Sequence, residues 1–148
     1  KIMATTTASI TLSSSDLLTD NLSLSSTMNL YKDGTTATGL EQLNYHRAIL
    51  AEDGDFDLIA ESALLTEKAN YVYICNKNTD VTHYCIISIN SEVIGRLYAG
   101  DWLFMPWDCD LSAAANDSSI EIIPKEADIT VEYALFHSGE TLVTSADS

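Results

Sequence analysis

Four carboxylates fall within six residues at Glu52-Asp53-Gly54-Asp55-Phe56-Asp57, and hard oxygen ligands so closely spaced are what a Ca²⁺ ion collects. The stretch does not follow the EF-hand order, in which alternate acidic positions, a central glycine and a distal glutamate wrap the ion, so a solvated acidic loop is expected and no metal is assigned. Asp101, Asp108 and Asp110 bracket a second candidate. A strand separates Asp101 from the other two, and opposite strand ends lie too far apart to share an ion. His46, His83 and His137 are scattered and lack the HExxH spacing of a zinc hydrolase, with His83 expected on a strand surface rather than as a base. There is no GxSxG elbow and no glycine-rich phosphate loop, and although serines and aspartates abound, nothing in their order selects a Ser-His-Asp triad. Cys75, Cys85 and Cys109 are odd in number and lack CxxC spacing, which predicts reduced, buried thiols rather than a disulfide framework or a zinc site. The expectation is a protein that is not an enzyme and holds no cofactor.

Charge narrows the partners. The 148 residues carry 22 acidic against 7 basic side chains, a formal net charge of −15. That field repels phosphate backbones and anionic headgroups, so neither nucleic acid nor a membrane is an expected partner. No window is apolar for long enough to span a bilayer, and Lys1 to Ser15 lacks the apolar core of a secretory signal, so the chain reads as soluble and unexported.

The most unusual stretch is VIGRLYAGDWLFMPWD, from Val93 to Asp108, which holds both tryptophans. As a strand it places Trp102 and Phe104 on one side and Leu103, Met105 and Trp107 on the other, so neither side is polar. A sandwich strand has one face in the core, and the second apolar face requires cover from a loop of the same chain or from another chain. Tyr98, Trp102, Phe104 and Trp107 are therefore the candidate partner interface, with Trp107, at the strand end, expected to be the residue that one chain's core most easily spares. Sugar rings stacking on these aromatics are the remaining reading.

The elements around this stretch read as strands. Thr5 to Ser15 alternates Ile10 and Leu12 against Ser9 and Thr11, and Leu22 to Tyr31 sets Leu22, Leu24, Met28 and Leu30 against Ser23, Ser25, Thr27 and Asn29. Lys32-Asp33-Gly34 and Asp53-Gly54 are turns, the pattern blurs from Gly39 to Ala51, Phe56 to Ala60 is a short strand, and Glu61 to Ala69 has helix-forming composition but little length. Tyr71 to Asn76 and His83 to Asn90 flank the polar Lys77-Asn78-Thr79-Asp80 and are expected to pair as a hairpin. Glu92 to Tyr98, a tight Ala99-Gly100-Asp101 turn, Trp102 to Trp107, Ile120 to Ile123 closed by Pro124, and Asp128 to Phe136 complete the chain. Eight to ten short strands without a long amphipathic helix predict an all-β, antiparallel β-sandwich or jelly roll, one domain over residues 1–148 with 1–8 a flexible arm.

YVYICN, IGRLYAGDWLFMPWD and ITVEYALF, together with the opening Met3-Ala4-Thr5-Thr6-Thr7-Ala8-Ser9-Ile10-Thr11-Leu12, resemble small β-rich virion structural proteins of tailed marine phages, especially cyanophages. Lys1 and Ile2 precede the methionine at which similar proteins begin. The resemblance covers about the first dozen residues and Tyr71 to Phe136, and its motifs are structural, not catalytic. It implies a capsid decoration or cement protein on the outer capsid surface of the virion, made in the host cytoplasm. The implied partner is the major capsid protein or another virion protein, with a homo-oligomer such as a trimer also expected. Neck, tail or fibre-base components and a carbohydrate-binding module for host adhesion are the alternatives.

Overall fold

A computed structural model describes residues 6–17, 19–31, 40, 42–59, 70–107 and 119–137. Among them the chain forms ten strands. Strand β1 (Thr6–Ser14) and β2 (Leu22–Leu30) make an antiparallel hairpin whose register runs from Thr6↔Leu30 to Ser14↔Leu22. That register sorts the side chains by type. Ala8, Ile10 and Leu12 lie opposite Met28, Ser26 and Leu24 on one face, and Thr7, Ser9 and Thr11 lie opposite Asn29, Thr27 and Ser25 on the other. The hydroxyl face is laced across the strands: the Thr7 hydroxyl donates to Asn29 Oδ1 at 3.2 Å, and the Ser9 and Thr27 hydroxyls meet at 2.9 Å. At the tip, Ser14 Oγ accepts the Leu17 N–H at 3.1 Å, a turn of the kind Ser favours. The flexible arm expected over residues 1–8 is strand from Thr6 onward.

The other eight strands form two antiparallel sheets. The first holds β3 (Gln42–Leu50), β10 (Ile129–His137), β5 (Asn70–Asn76) and β8 (Trp102–Trp107), in that order. The second holds β4 (Phe56–Ile59), β9 (Ile120–Lys125), β6 (Tyr84–Ile89) and β7 (Glu92–Tyr98). Val72, Ile74, Ile129 and Val131 of the first sheet and Cys85, Ile87, Ile120 and Ile122 of the second share one buried cluster, so the domain is the β-sandwich that the alternation predicts. The burial around Cys85 pushes its thiol pKa up to about 12, which keeps it protonated and inert. Among the described residues, no helix is long and apolar enough to cross a membrane. The 61–69 segment of helix-forming composition and the Lys32-Asp33-Gly34 turn lie outside the described residues.

Two local expectations are corrected. Strands β5 and β6 do not pair: β5 bonds to β10 and β8, whereas β6 bonds to β7 and β9. The polar residues between them are satisfied across the sandwich instead. Asn76 is fully buried, and its Nδ2 donates to the Leu97 carbonyl at 3.0 Å and the His83 carbonyl at 3.4 Å while Oδ1 accepts the Asn78 N–H at 3.0 Å. Its backbone N–H donates to Asp101 O at 3.0 Å and its carbonyl accepts the Gly100 N–H at 2.9 Å. Asn78 in turn reaches β10, donating to the Asp128 carbonyl at 3.2 Å and accepting the Thr130 N–H at 2.9 Å. The 77–83 segment is thus an arch between sheets. The true tight hairpin is β6–β7, where Asn90 and Ser91 both have positive φ, 52° and 61°, as a two-residue type I′ loop requires.

The Ala99-Gly100-Asp101 turn forms as expected, with Gly100 at φ 84°, and carries β7 into β8 across the sandwich. The second correction is that β9 passes through Pro124 and ends at Lys125. Its partner β4 has already ended, the last pair being Phe56↔Ile122, and Pro124 O accepts the Asp53 N–H at 2.9 Å from the loop beyond. In an antiparallel ladder a residue's N and O point to the same neighbour. The missing Pro124 N–H therefore falls where no strand requires it.

Two outcomes follow. Asn76→Ala strips partners from Leu97 O, His83 O and Asn78 N and should cost at least about 2 kcal/mol, read as a melting temperature lowered by roughly 5 °C. His137 is buried, and neither ring nitrogen has a hydrogen-bond partner among the described residues; burial pushes its pKa below the ordinary value. The unfolded chain then takes up a proton, below about pH 6.5, that the folded chain resists. Its contribution is complete above that pH and is lost as pH falls toward and through the depressed folded value. His137→Leu should remove this component, so the stability difference between His137→Leu and the parent protein grows in favour of the variant between about pH 7.5 and about pH 5 in paired thermal melts.

Candidate functional site

The strand β8 is apolar on both sides, and the fold divides its side chains. Trp107 is 5% exposed and belongs to the central cluster, with Leu103 and Met105 packed against it. Trp102, 53% exposed, and the half-buried Phe104 point outward. Trp107 is thus not spared by the core, because inward positions of an edge strand at the open end of a sandwich still need volume, and an indole supplies it.

The outward side chains of the first sheet line up by register. Leu43, Phe136, Tyr71 and Pro106 form one row across β3, β10, β5 and β8, and Tyr45, Ala134, Tyr73 and Phe104 form the next. Arg47, Glu132, Cys75 and Trp102 form a third. Tyr71 and Phe104 stack at 5.6 Å with planes 3° apart, and Phe136 meets Phe104 edge-on at 6.3 Å. The charges in these rows are Arg47 and Glu132, and they neutralise each other at 2.7 Å. Arg47 and the Tyr45 hydroxyl hold the Glu132 carboxyl below the usual carboxylate range. Burial, with a smaller contribution from the Cys75 thiol, pushes the Tyr73 phenol up to about 12, so it stays a neutral donor. Near the β8 edge the hairpin leans over this surface, and Ile10, Met28, Tyr73, Trp102, Phe104 and Phe136 enclose a half-open groove of about 450 Å³.

Tyr98 is elsewhere. It lies on the outer side of the second sheet, its ring 5.1 Å from that of Tyr84, whose other neighbour is the Arg96 guanidinium at 5.0 Å. The four expected interface residues therefore occupy three places: Trp102 and Phe104 on one outer face, Tyr98 on the opposite one, and Trp107 between the sheets. Sequence reading missed Leu43, Tyr45 and Ile49 of β3, because Ala48 and Leu50 on the alternate positions blur the period. It also did not foresee that Ile10, Leu12, Leu24 and Met28 would be left exposed.

Among the acidic and histidine candidates, Asp53, Asp101 and His83 have side-chain partners. Asp53 pairs with Lys125, and Asp128 Oδ1 accepts the Glu52 N–H at 2.9 Å. Asp101 caps its own turn by accepting the Tyr98 N–H at 2.9 Å. Among the described residues no three His, Cys, Asp or Glu side chains gather as a metal would need. His83 is not on a strand: it sits in the arch, its Nδ1 3.3 Å from Asn78 Nδ2 and its Nε2 3.6 Å from Asp80, whose carboxyl the Thr82 N–H and hydroxyl hold below its ordinary pKa. Asp108, Cys109 and Asp110 lie outside the described residues.

The division between the two tryptophans is measurable. Trp107→Ala should cost about 3 to 5 kcal/mol of folding, whereas Trp102→Ala should stay within about 1 kcal/mol of the parent protein in chemical denaturation.

No protein-family model matches this sequence, and no curated protein matches it either.

Proposed function

We propose that the protein is a non-enzymatic structural component of a phage particle, a decoration or cement protein seated on the outer capsid at junctions between major capsid subunits. The observation that carries the reading is the apolar outer face of the β3-β10-β5-β8 sheet, where Leu43, Tyr45 and Ile49 of β3 are exposed, Ile49 by 75%. A sandwich sheet with apolar side chains on both faces fits a protein that completes itself in an assembly. The strand orders β3-β10-β5-β8 and β4-β9-β6-β7 support a jelly-roll reading of the sandwich, a winding common in capsid and lectin domains. The resemblance of YVYICN, IGRLYAGDWLFMPWD and ITVEYALF to virion proteins points the same way. Cementing works by burying area that exists only in the assembled shell, so attachment stabilises the lattice by mass action.

A second reading, a carbohydrate-binding module, is favoured by the aromatic groove, where Trp102 and Tyr73 stand across from Ser26 of the hairpin. Co-sedimentation with undecorated capsids separates the two. Attachment at hundreds of copies per particle, weakened roughly tenfold or more by Tyr45→Ser with Ile49→Ser at an unchanged melt, is the expected result. Attachment of only a handful of copies assigns the chain to the neck, tail or fibre base. Failure to attach, with binding to a glycan array abolished by Trp102→Ala, overturns the capsid reading in favour of the sugar.

A further inference from the structure

The strands β1 and β2 contain no ionisable residue, on a chain whose net charge is −15. Asp16 and Asp20 are confined to the tip between them. The hairpin nevertheless turns an apolar face outward, with Leu12 51% and Leu24 55% exposed. A two-stranded ribbon in water is marginal unless something packs on such a face. Its base is covered: Leu30 and Leu40 are buried together there, Leu40 N–H donating to Leu30 O at 3.0 Å. Farther out the body of the same chain supplies only the half-open groove, whose walls of Ile10 and Met28 on one side and Tyr73, Trp102, Phe104 and Phe136 on the other are also uncharged at neutral pH. Most other exposed surface among the described residues is studded with carboxylates, including Asp53, Asp55, Asp57, Asp80 and Asp101.

Charge decides the occupant. A cationic partner would be drawn to the carboxylates. Two copies of a chain at −15 repel each other least where charge is missing, as it is at the hairpin strands and the groove. Reach is also matched. A nine-residue strand is about 30 Å long, so in two hairpins laid antiparallel about a two-fold axis the Leu12–Leu24 end of each arrives at the basal half of the other, where the groove lies. The contact is self-complementary, as a two-fold interface demands.

We propose that the protein self-associates by reciprocal arm exchange, the β1–β2 hairpin of each copy placing Leu12 and Leu24 in the groove beside Trp102 of a second copy. This pairing is independent of the capsid reading, which concerns the β3 side of the same sheet, and stands or falls separately from it.

Sedimentation of the purified full chain over a range of concentrations, with tryptophan emission recorded in parallel, tests the exchange. Trp107 is already buried, so a blue shift reports Trp102. A monomer–dimer equilibrium is expected, with emission shifting blue in proportion to the dimer and association tightened by added salt, which screens the mutual repulsion. Leu12→Ser with Leu24→Ser, and separately Trp102→Ser, should each weaken association roughly tenfold or more while the circular dichroism and melt of the monomer stay unchanged. The two variants mixed should partly recover it, because the intact arm of one still finds the intact groove of the other. A monomer at every concentration, a dimer without a blue shift, or mixed variants that fail to recover each overturn the proposal. So does a blue shift that appears only when a nonionic detergent below its micelle concentration is added, which would make the groove a site for a small apolar ligand. The concentration-dependent shift of the unmodified chain decides the matter even where a variant does not fold.

Discussion

The buried side chain of Asn76 holds the two sheets in their relative places. It ends β5 in the first sheet, yet its amide donates to carbonyls of Leu97, on β7 of the second sheet, and of His83, in the arch that leads into β6. Its backbone bonds to the Gly100–Asp101 turn that brings the chain back to β8. Two crossings of the chain between sheets, the 77–83 arch and the 99–101 turn, therefore converge on one residue. A buried amide left without these partners costs more than the net worth of any one bond, so the corner either forms completely or not at all. The position of β8, and with it the outward aim of Trp102 and Phe104 and the inward aim of Trp107, depends on that corner.

The distribution of charge is as organised as the distribution of apolar volume. Carboxylates cluster in the turns, where Asp53 meets Lys125 and Asp101 caps its own loop, and they are absent from the hairpin strands. On the outer face of the first sheet the Arg47–Glu132 pair cancels itself. An acidic body with neutral, apolar islands keeps collisions unproductive except in the orientations that bring the islands together, which is a physical basis for specificity without strong affinity at any single contact.

The sheet edges fit this picture. Pro106 lies on the edge strand β8 opposite Tyr71 and leaves the outer ladder short of a donor, a feature that discourages another strand from adding there. Strand addition is thereby discouraged at this edge. The hairpin's own hydroxyl face, tied across by Thr7–Asn29 and Ser9–Thr27, fixes its register and leaves the apolar face as the one free to pack.

By itself the sequence determined most of the strands, β3 excepted, and which of their side chains share a face, because period-two alternation is a local property of an extended backbone. Ile129, Val131 and Leu135 are buried together, and Leu24 and Met28 share a face, as their spacing requires. Trp102 and Phe104 oppose Trp107, also by spacing. Only the tertiary structure decided which strands are neighbours and which faces are covered. Every strand offers the same N–H and C=O edge, so nothing local in YVYICN or HYCIISIN distinguishes a hairpin from an arch; the distant carbonyl of Leu97 and amide of Thr130, which satisfy Asn76 and Asn78, make that choice. For the same reason the alternation of β1 and β2 announced an apolar face but not that it would stay in solvent. Burial depends on what other parts of the chain come near, and here the sandwich reaches only the hairpin's base.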